Sequence, residues 1–556
     1  MEGRITKISN RQKVSVAFSV SRGICGKLAK YLALQFEREV LIMVYSPSLG
    51  SSITNTRMRT PDHLSPFSGM CAVCTYQCTG MCEIGLSALR GSEAIYPYQT
   101  DVNQFASEKD YPLDFSHLNI NGRVFGAFGC PADPSAATFP KADINSTFGL
   151  LHPVPLLAPI VLPAMAKLNW RDYFAGAALA GVVVVIGEDV VAKDKELQSR
   201  GGKVCSSPLL KEMVGAFRKH HRGYGDIVLQ ANYDDEYLGV LDYAIGSLGV
   251  ESVELKFGQA AKGIQGMGRV EKLEDALRFK RMGYLVNPDP EDPAIAEDYE
   301  KGIGPVFEKI GKLPMWDRAG LVARVRQLRQ LGAKRVCFKT GPFDPADLRE
   351  ILRIASEARV DLVTFDGAGG GSGNSPSKMM NEWGIPTIEL ESVIYDMLSN
   401  MKSRGLAIPQ VAVAGGIAME DQVFKVLALG APHVPLVGIG RAAMAAAMVG
   451  KQVGEMVSEG NVPREFRRFG ETTGELFSGY RELRAFYGEK AMEIPCGAVA
   501  VYSYLGRISA GLRQLMALNR KFTLQEIRRR DVVPLTPIAA SVTGLLTYSE
   551  LAAEEE

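Results

Sequence analysis

Three lysines stand where apolar runs end. Lys256 closes Val253-Glu-Leu-Lys256, Lys262 follows shortly after, and Lys339 closes Val336-Cys-Phe-Lys339. One lysine at a strand end is ordinarily a surface ion-pair partner, but three at neighbouring strand ends suit an anionic ligand. Lys256 has the strand parity of Glu254, so both side chains point to one face of the strand and must pair or meet a ligand if that face is enclosed. Glu188 and Asp189 follow Val182–Ile186, and Gln230 ends Ile227–Gln230. Polar groups at so many strand ends converge on one mouth. The histidines are scattered, and no Ser-His or Cys-His arrangement disturbs that reading.

Two further sets carry chemistry. Ala412-Val-Ala-Gly-Gly416 and Val437-Gly-Ile-Gly-Arg441 each end an apolar run in a glycine turn. Gly415, Gly416, Gly438 and Gly440 offer backbone N–H groups to a phosphate, and Arg441 offers charge. Asp366-Gly-Ala-Gly-Gly-Gly-Ser-Gly-Asn-Ser-Pro376 lies between another apolar run and a helical pattern. Its Gly367, Gly370 and Gly371 let backbone approach a ligand closely, and the cost of so many glycines argues against a packing role. Cys71, Cys74, Cys78 and Cys82 fall within twelve residues with the spacing C-x2-C-x3-C-x3-C. Four thiolates so close suit a 4Fe–4S cluster or a tetrahedral zinc, and iron–sulfur is preferred because only one C-x2-C knuckle is present.

The elements that must position these residues alternate in type. Eight strand candidates run from Ile160–Pro163 through Val182–Ile186, Ile227–Gln230, Val253–Lys256, Val336–Lys339, Leu362–Phe365 and Val411–Ala414 to Val434–Val437, with helical patterns between them. Asp344 followed by Pro345 marks one helix start, as an N-cap with proline at the first helical position. Eight βα units predict an α/β fold, a (β/α)8 TIM barrel with its site at the C-terminal ends of the strands. Four regions follow: an extension over 1–60, a loop-rich cysteine-cluster segment over 61–147, the barrel over 148–450 and a helical extension over 451–556. The stretch from about 257 to 320 is an insertion of the kind that forms a lid or wall. The basic groups at Arg464–Arg468 and Arg528–Arg530 read as solvated faces.

Composition narrows the classes. The chain has 556 residues, 46% hydrophobic and 22% charged, with a net charge of +1. That balance gives no nucleic-acid footprint, and no apolar run is long enough for a membrane span. Residues 1–60 are basic yet lack an apolar targeting core, and read as poorly ordered or as translated from an upstream start. Clustered cysteines in a chain of this size favour a reducing compartment, with the cytoplasm as default.

Taken in order, Gln259-Ala-Ala-Lys-Gly263, Lys339, the loop from Asp366 to Pro376, Gly415-Gly416 and Gly438-Ile-Gly-Arg441 resemble the FMN-binding barrel of glutamate synthase and its stand-alone relatives. The resemblance covers roughly residues 150 to 450. It implies FMN, with its phosphate at the last two loops and its ring near Ala164, Gln230 and Lys339. It also implies a 2-oxo acid and its imine surrounded by Glu188, Lys256, Gln259 and Lys262. The reaction implied is addition of ammonia to 2-oxoglutarate and reduction of the imine; the family's three-cysteine motif after the last strands is missing, and electrons are expected to enter instead through the cysteine cluster that precedes the barrel. Two further departures stand out. The relatives' loop usually reads Asp-Gly-Gly-Glu-Gly-Gly-Thr-Gly-Ala-Ala-Pro, whereas here Gly369 replaces the acid and Ser372 and Asn374 also differ. Met1-Glu2 offers no nucleophilic N-terminal cysteine, so a separate glutaminase subunit, free ammonia or another substrate is expected. An electron-donor protein is a further expected partner. A different small anionic substrate, an electron-transfer subunit of a larger complex and a homo-oligomer stay open.

Overall fold

The barrel is built by eight short, nearly all-apolar runs that pair in parallel. In the computed structural model these are β1 Ile160–Met165, β2 Val183–Ile186, β3 Asp226–Ala231, β4 Ser252–Phe257, β5 Arg335–Thr340, β6 Leu362–Asp366, β7 Gln410–Ala414 and β8 Leu436–Gly438. They close on themselves, β8 pairing with β1, so no sheet edge is left open. This is a (β/α)8 barrel, and each of the eight expected strands is present to within a few residues at its ends. The structure describes residues 83–91, 107, 109, 111–165, 167–258, 263, 267–304, 306–371 and 375–553.

Alternation along each strand divides the barrel into an outer shell and an inner core. Val161, Val183, Val185, Val228, Cys337, Leu362, Ala412 and Leu436 point inward and are buried, and Phe148 and Leu156 join them. Those two come from the hairpin Ser146–Phe148 with Val154–Leu156, which precedes β1 and plugs the bottom of the barrel. Polar contacts pin the plug. Gly149 donates its N–H to Gln410 at 2.8 Å, Leu150 donates to Asp361 at 2.9 Å, and Arg335 donates to the His152 carbonyl at 2.9 Å. The bottom of the barrel is thereby closed to ligands, which leaves the upper ends of the strands.

Helices cover the outside with the expected local logic. Asp344 accepts from the Ala346 N–H at 2.7 Å and starts the helix Pro345–Ala358, whose buried positions fall at three and four. The insertion after β4 holds a three-stranded antiparallel sheet, Met267–Val270, Phe307–Ile310 and Leu285–Asn287, with its own small core of Val270, Ala276, Val286 and Phe307. The long helix Cys496–Leu518 lies against Trp170–Ala180 and Arg441–Ser458. Leu118–Ile120, ahead of the barrel, pairs antiparallel with Val532–Pro534 near the other end of the chain.

Of the basic group Arg528–Arg530, Arg528 and Arg530 are exposed, but Arg529 is not part of a solvated face. Arg529 donates to the carbonyls of Leu429 and Thr543 and lies 3.9 Å from the Tyr395 ring centroid, so it ties the C-terminal extension to the barrel helices. The chain divides into two compact units, Met1–Ile95 with Glu108–Asp110, and Tyr96–Ser107 with Tyr111–Glu556. The helix Glu83–Arg90 belongs to the first, and the barrel to the second. No helix among the described residues is long and apolar enough to cross a membrane.

Candidate active site at the mouth of the barrel

Strand parity places a polar layer above the apolar one. In register, Gln230 lies beside Glu254, Lys256 beside Lys339, and Lys339 beside Thr364. Gln230, Lys339 and Thr364 share the inward face with Val228, Cys337 and Leu362 two positions below them, Glu254 and Lys256 lie beside them in register, and all five are buried. A barrel interior that was only structural would continue in Val, Ile and Leu here.

The charges in this layer are paired. Lys256 donates to Glu188 at 2.6 Å, and Lys339 lies 2.9 Å from Asp366. Burial by itself would raise the Glu188 carboxyl, but the Lys256 ammonium outweighs it and holds the group below its usual range. Burial likewise opposes the charge on Lys339, yet Asp366 and then Glu254 overcome it and raise that pKa. Glu254 moves the other way: burial lifts its carboxyl despite Lys339, Gln230 and Lys256. The mouth therefore presents an acceptor at Glu188, a firmly cationic Lys339 and a carboxyl at Glu254 that protonates more readily than usual.

A second cluster stands directly behind Glu188. Asp189 has a positive φ of 62° and meets Lys309 of the insertion at 3.4 Å and Asn232 at 3.2 Å. Its N–H donates to Asp235 at 2.9 Å. Burial disfavours charge on both aspartates, but Lys309 and Lys193 lower Asp189, whereas Asp235, faced by Asp189, is raised well above the carboxylate range. Lys309 also sits 3.9 Å from the Tyr284 ring centroid. The insertion is thus a wall attached next to the Glu188–Lys256 pair.

The glycine loops meet one another. Gly367 donates its N–H to Ala414 at 2.8 Å, and Thr387 donates its hydroxyl to Gly415 at 2.9 Å. A Cβ at Gly367 would come within 2.3 Å of Thr387 Oγ1, and one at Gly415 within 2.9 Å of the Gly367 N. The expectation that these glycines do no packing work is corrected: Gly367 and Gly415 are small because the loops after β6 and β7 touch backbone to backbone. Gly370 faces Asp366 instead, since its Cβ would lie 2.6 Å from Asp366 Oδ1. Gly416 and Gly440 are different, with no atom within 3.5 Å of an added Cβ, so space is open beside both. Gly440 caps the helix Arg441–Ser458, and Arg441 reaches back to the Gly369 carbonyl at 3.5 Å. Gly438 ends β8 at the same rim, Ala164 lies half-buried near the end of β1, and Gly371 is half-buried in its loop.

The remaining expectations fall elsewhere. Gln259 and Lys262, and the four cysteines Cys71, Cys74, Cys78 and Cys82, lie outside the described residues. Among the described residues, no group of three or more His, Cys, Asp or Glu side chains could hold a metal. Two surface clefts, of ≈ 440 Å³ around Arg324 and ≈ 560 Å³ around Arg349 and Arg404, include none of the mouth residues.

The comparisons with known proteins bear on the same region. A family model described as a conserved region in glutamate synthase matches residues 313–452, from the approach to β5 through β8. The barrel is glutamate synthase-like. An archaeal-type glutamate synthase [NADPH] of Dehalococcoides mccartyi is 30% identical over 220 residues, 37% of this chain and 39% of the relative. The chain thus matches about two fifths of that relative's length. Among solved structures, a double mutant of flavocytochrome b2 with pyruvate bound aligns at 13% identity and a TM-score of 0.43, over 79% of this chain and 81% of its own. An inosine 5′-monophosphate dehydrogenase from Legionella pneumophila aligns at 14% identity and 0.38, over 76% of this chain and 98% of its own. Scores this low carry no argument, and the barrel rests on its own strand pairing.

Within this glutamate synthase-like barrel, two residues escaped sequence reasoning. Thr364 sits in the polar layer, and its strand Leu362-Val-Thr-Phe365 showed only as an apolar run; its parity with Asp366 was the usable signal. Glu254 was noticed for its parity with Lys256 but given no role. Gly369 also gains a physical account. A Cβ there would lie 3.0 Å from the Gly415 carbonyl and 3.2 Å from Thr387 Oγ1, so any side chain at this position would require those neighbours to shift by a few tenths of an ångström.

Proposed function

We propose that this chain is an FMN-dependent oxidoreductase of the glutamate synthase type, which aminates 2-oxoglutarate reductively with ammonia supplied from another subunit or from solution. The observation that carries the reading is the polar layer over residues 230–366, where two ion pairs and two polar atoms without a partner among the described residues lie at the strand ends of a barrel that matches a glutamate synthase family model over 313–452. The residues fit the cofactor. Gln230 Oε1 and Thr364 Oγ1 are buried and have no hydrogen-bond partner among the described residues, which suits a ring with polar edges. The open glycines Gly416 and Gly440, the helix start and Arg441 suit its phosphate.

Reduced FMN, when bound, supplies the hydride that turns 2-iminoglutarate into glutamate. The chain's own residues prepare that imine. Lys256 is placed to hold a substrate carboxylate, and Lys262 is assigned to the second. Glu188 is assigned the proton transfers as neutral ammonia adds to the keto carbon and water leaves. Gln259 orients the keto group. Cys71, Cys74, Cys78 and Cys82 would hold an iron–sulfur cluster, which would supply electron transfer from a donor protein. Gly369, where relatives carry an acid, favours one second reading: the same cofactor acting on another small anionic substrate.

The test is the cofactor itself. The flavin released by denaturing the purified chain is expected to be FMN at about one per chain, and Lys339→Met is expected to lower that occupancy. A chain that purifies without flavin and takes up none would overturn the reading.

A further inference from the structure

One interaction in the polar layer has no part in the chemistry above. Gln230 donates its side-chain N–H to Glu254, across adjacent strands, and is fully buried. An amide has two unlike ends, and which end faces a ligand is decided by whatever holds the other. In this contact the Glu254 oxygen accepts, so it draws the Gln230 nitrogen towards itself and turns the amide oxygen away. Burial lifts the Glu254 carboxyl, and Lys339 and Lys256 offset part of that rise. The other end, Gln230 Oε1, has no partner among the described residues. A neutral or apolar residue at 254 would leave the amide without a preferred orientation.

We propose that Glu254 is a positioning residue that fixes the Gln230 amide with its oxygen towards the mouth, so that the barrel selects a ligand presenting an N–H there. This deepens the FMN reading and rests on it, because the oxidised flavin ring carries one N–H, at N3. A purely structural Glu254, balancing two lysines, would affect all flavins alike; a residue that sets the polarity of Gln230 affects the choice between them.

The experiment compares binding of FMN with FMN methylated at N3, by fluorescence quenching in the full chain stripped of flavin. The wild type is expected to prefer FMN by roughly tenfold or more, the range for a buried acceptor left unsatisfied. Glu254→Gln is nearly isosteric and is expected to bring the two ligands within about threefold, as the orientation is lost. Gln230→Met removes both ends of the amide and is expected to flatten the preference in the same way, so the test survives if one variant fails to fold. Equal binding of both flavins by the wild type, or full discrimination kept in Glu254→Gln, overturns the inference while leaving FMN binding intact. A wild-type chain that takes up neither flavin refutes the FMN reading and this inference with it.

Discussion

Replacing Lys256 by methionine isolates the central ion pair. Lys256 and Glu188 are 2.6 Å apart, with side chains only 5% and 17% exposed. Removing Lys256 takes away the main counter-charge of buried Glu188, at a cost of up to about 3–5 kcal/mol. Glu188 has an aggravating neighbour, since Asp189 already disfavours its charge. For a barrel of this size that cost corresponds to a fall in melting temperature of roughly 5–15 °C. The pH dependence gives the sharper signature. In the wild type the folded Glu188 pKa is depressed below 4.5, so its stabilisation is fully present above about that pH and is lost as pH falls through the lower, folded value. In Lys256→Met, burial and Asp189 are opposed chiefly by a backbone hydrogen bond and raise that pKa, so the carboxyl stabilises least when ionised and the deficit grows as pH rises. Differential scanning calorimetry of the full chain at pH 5 and pH 8 reads both effects. Adding Glu188→Gln to Lys256→Met is expected to recover most of the loss. If Lys256→Met melts with the wild type at both pH values, or the double variant melts no higher than the single one, the buried-pair reasoning is wrong.

Gly367→Ala is expected to destabilise the barrel by about 1–3 kcal/mol, measured by thermal melting, because its Cβ would meet the Thr387 backbone at 2.6 Å as well as the hydroxyl. Lys309→Met is expected to speed limited proteolysis within residues 267–310, because it removes the contact with Asp189, while the exposed-pair variant Lys301→Met leaves the cleavage rate unchanged. Replacing Cys71, Cys74, Cys78 and Cys82 together by serine is expected to abolish bound iron and leave bound flavin in place, as read by metal analysis and flavin release.

The sequence displayed the barrel well, and for a simple reason. Strands such as Val183–Ile186 are apolar on both faces because helices cover one and the core fills the other, so they stand out as uninterrupted runs. The same parity that located Lys256 and Lys339 placed them correctly on the inward face. What stayed hidden depended on partners distant in sequence. Nothing near Lys309 announces that it pairs with Asp189, more than a hundred residues earlier, and nothing near Arg529 announces the Leu429 carbonyl. The glycines misled in an instructive way. Gly367 and Gly416 look alike in sequence, yet one is crowded by Thr387 and the other borders open space. Composition records that a side chain is missing, and only the fold shows whether a neighbour or a ligand occupies its place.

The measurement that tests the account most directly is anaerobic reoxidation of the flavin-reduced full chain. On addition of 2-oxoglutarate with ammonium, the account predicts return of the oxidised flavin spectrum with one glutamate formed per flavin, and loss of that reaction in Lys256→Met. Reoxidation by neither 2-oxoglutarate with ammonium nor any other small anionic substrate, or an undiminished rate in Lys256→Met, would contradict it.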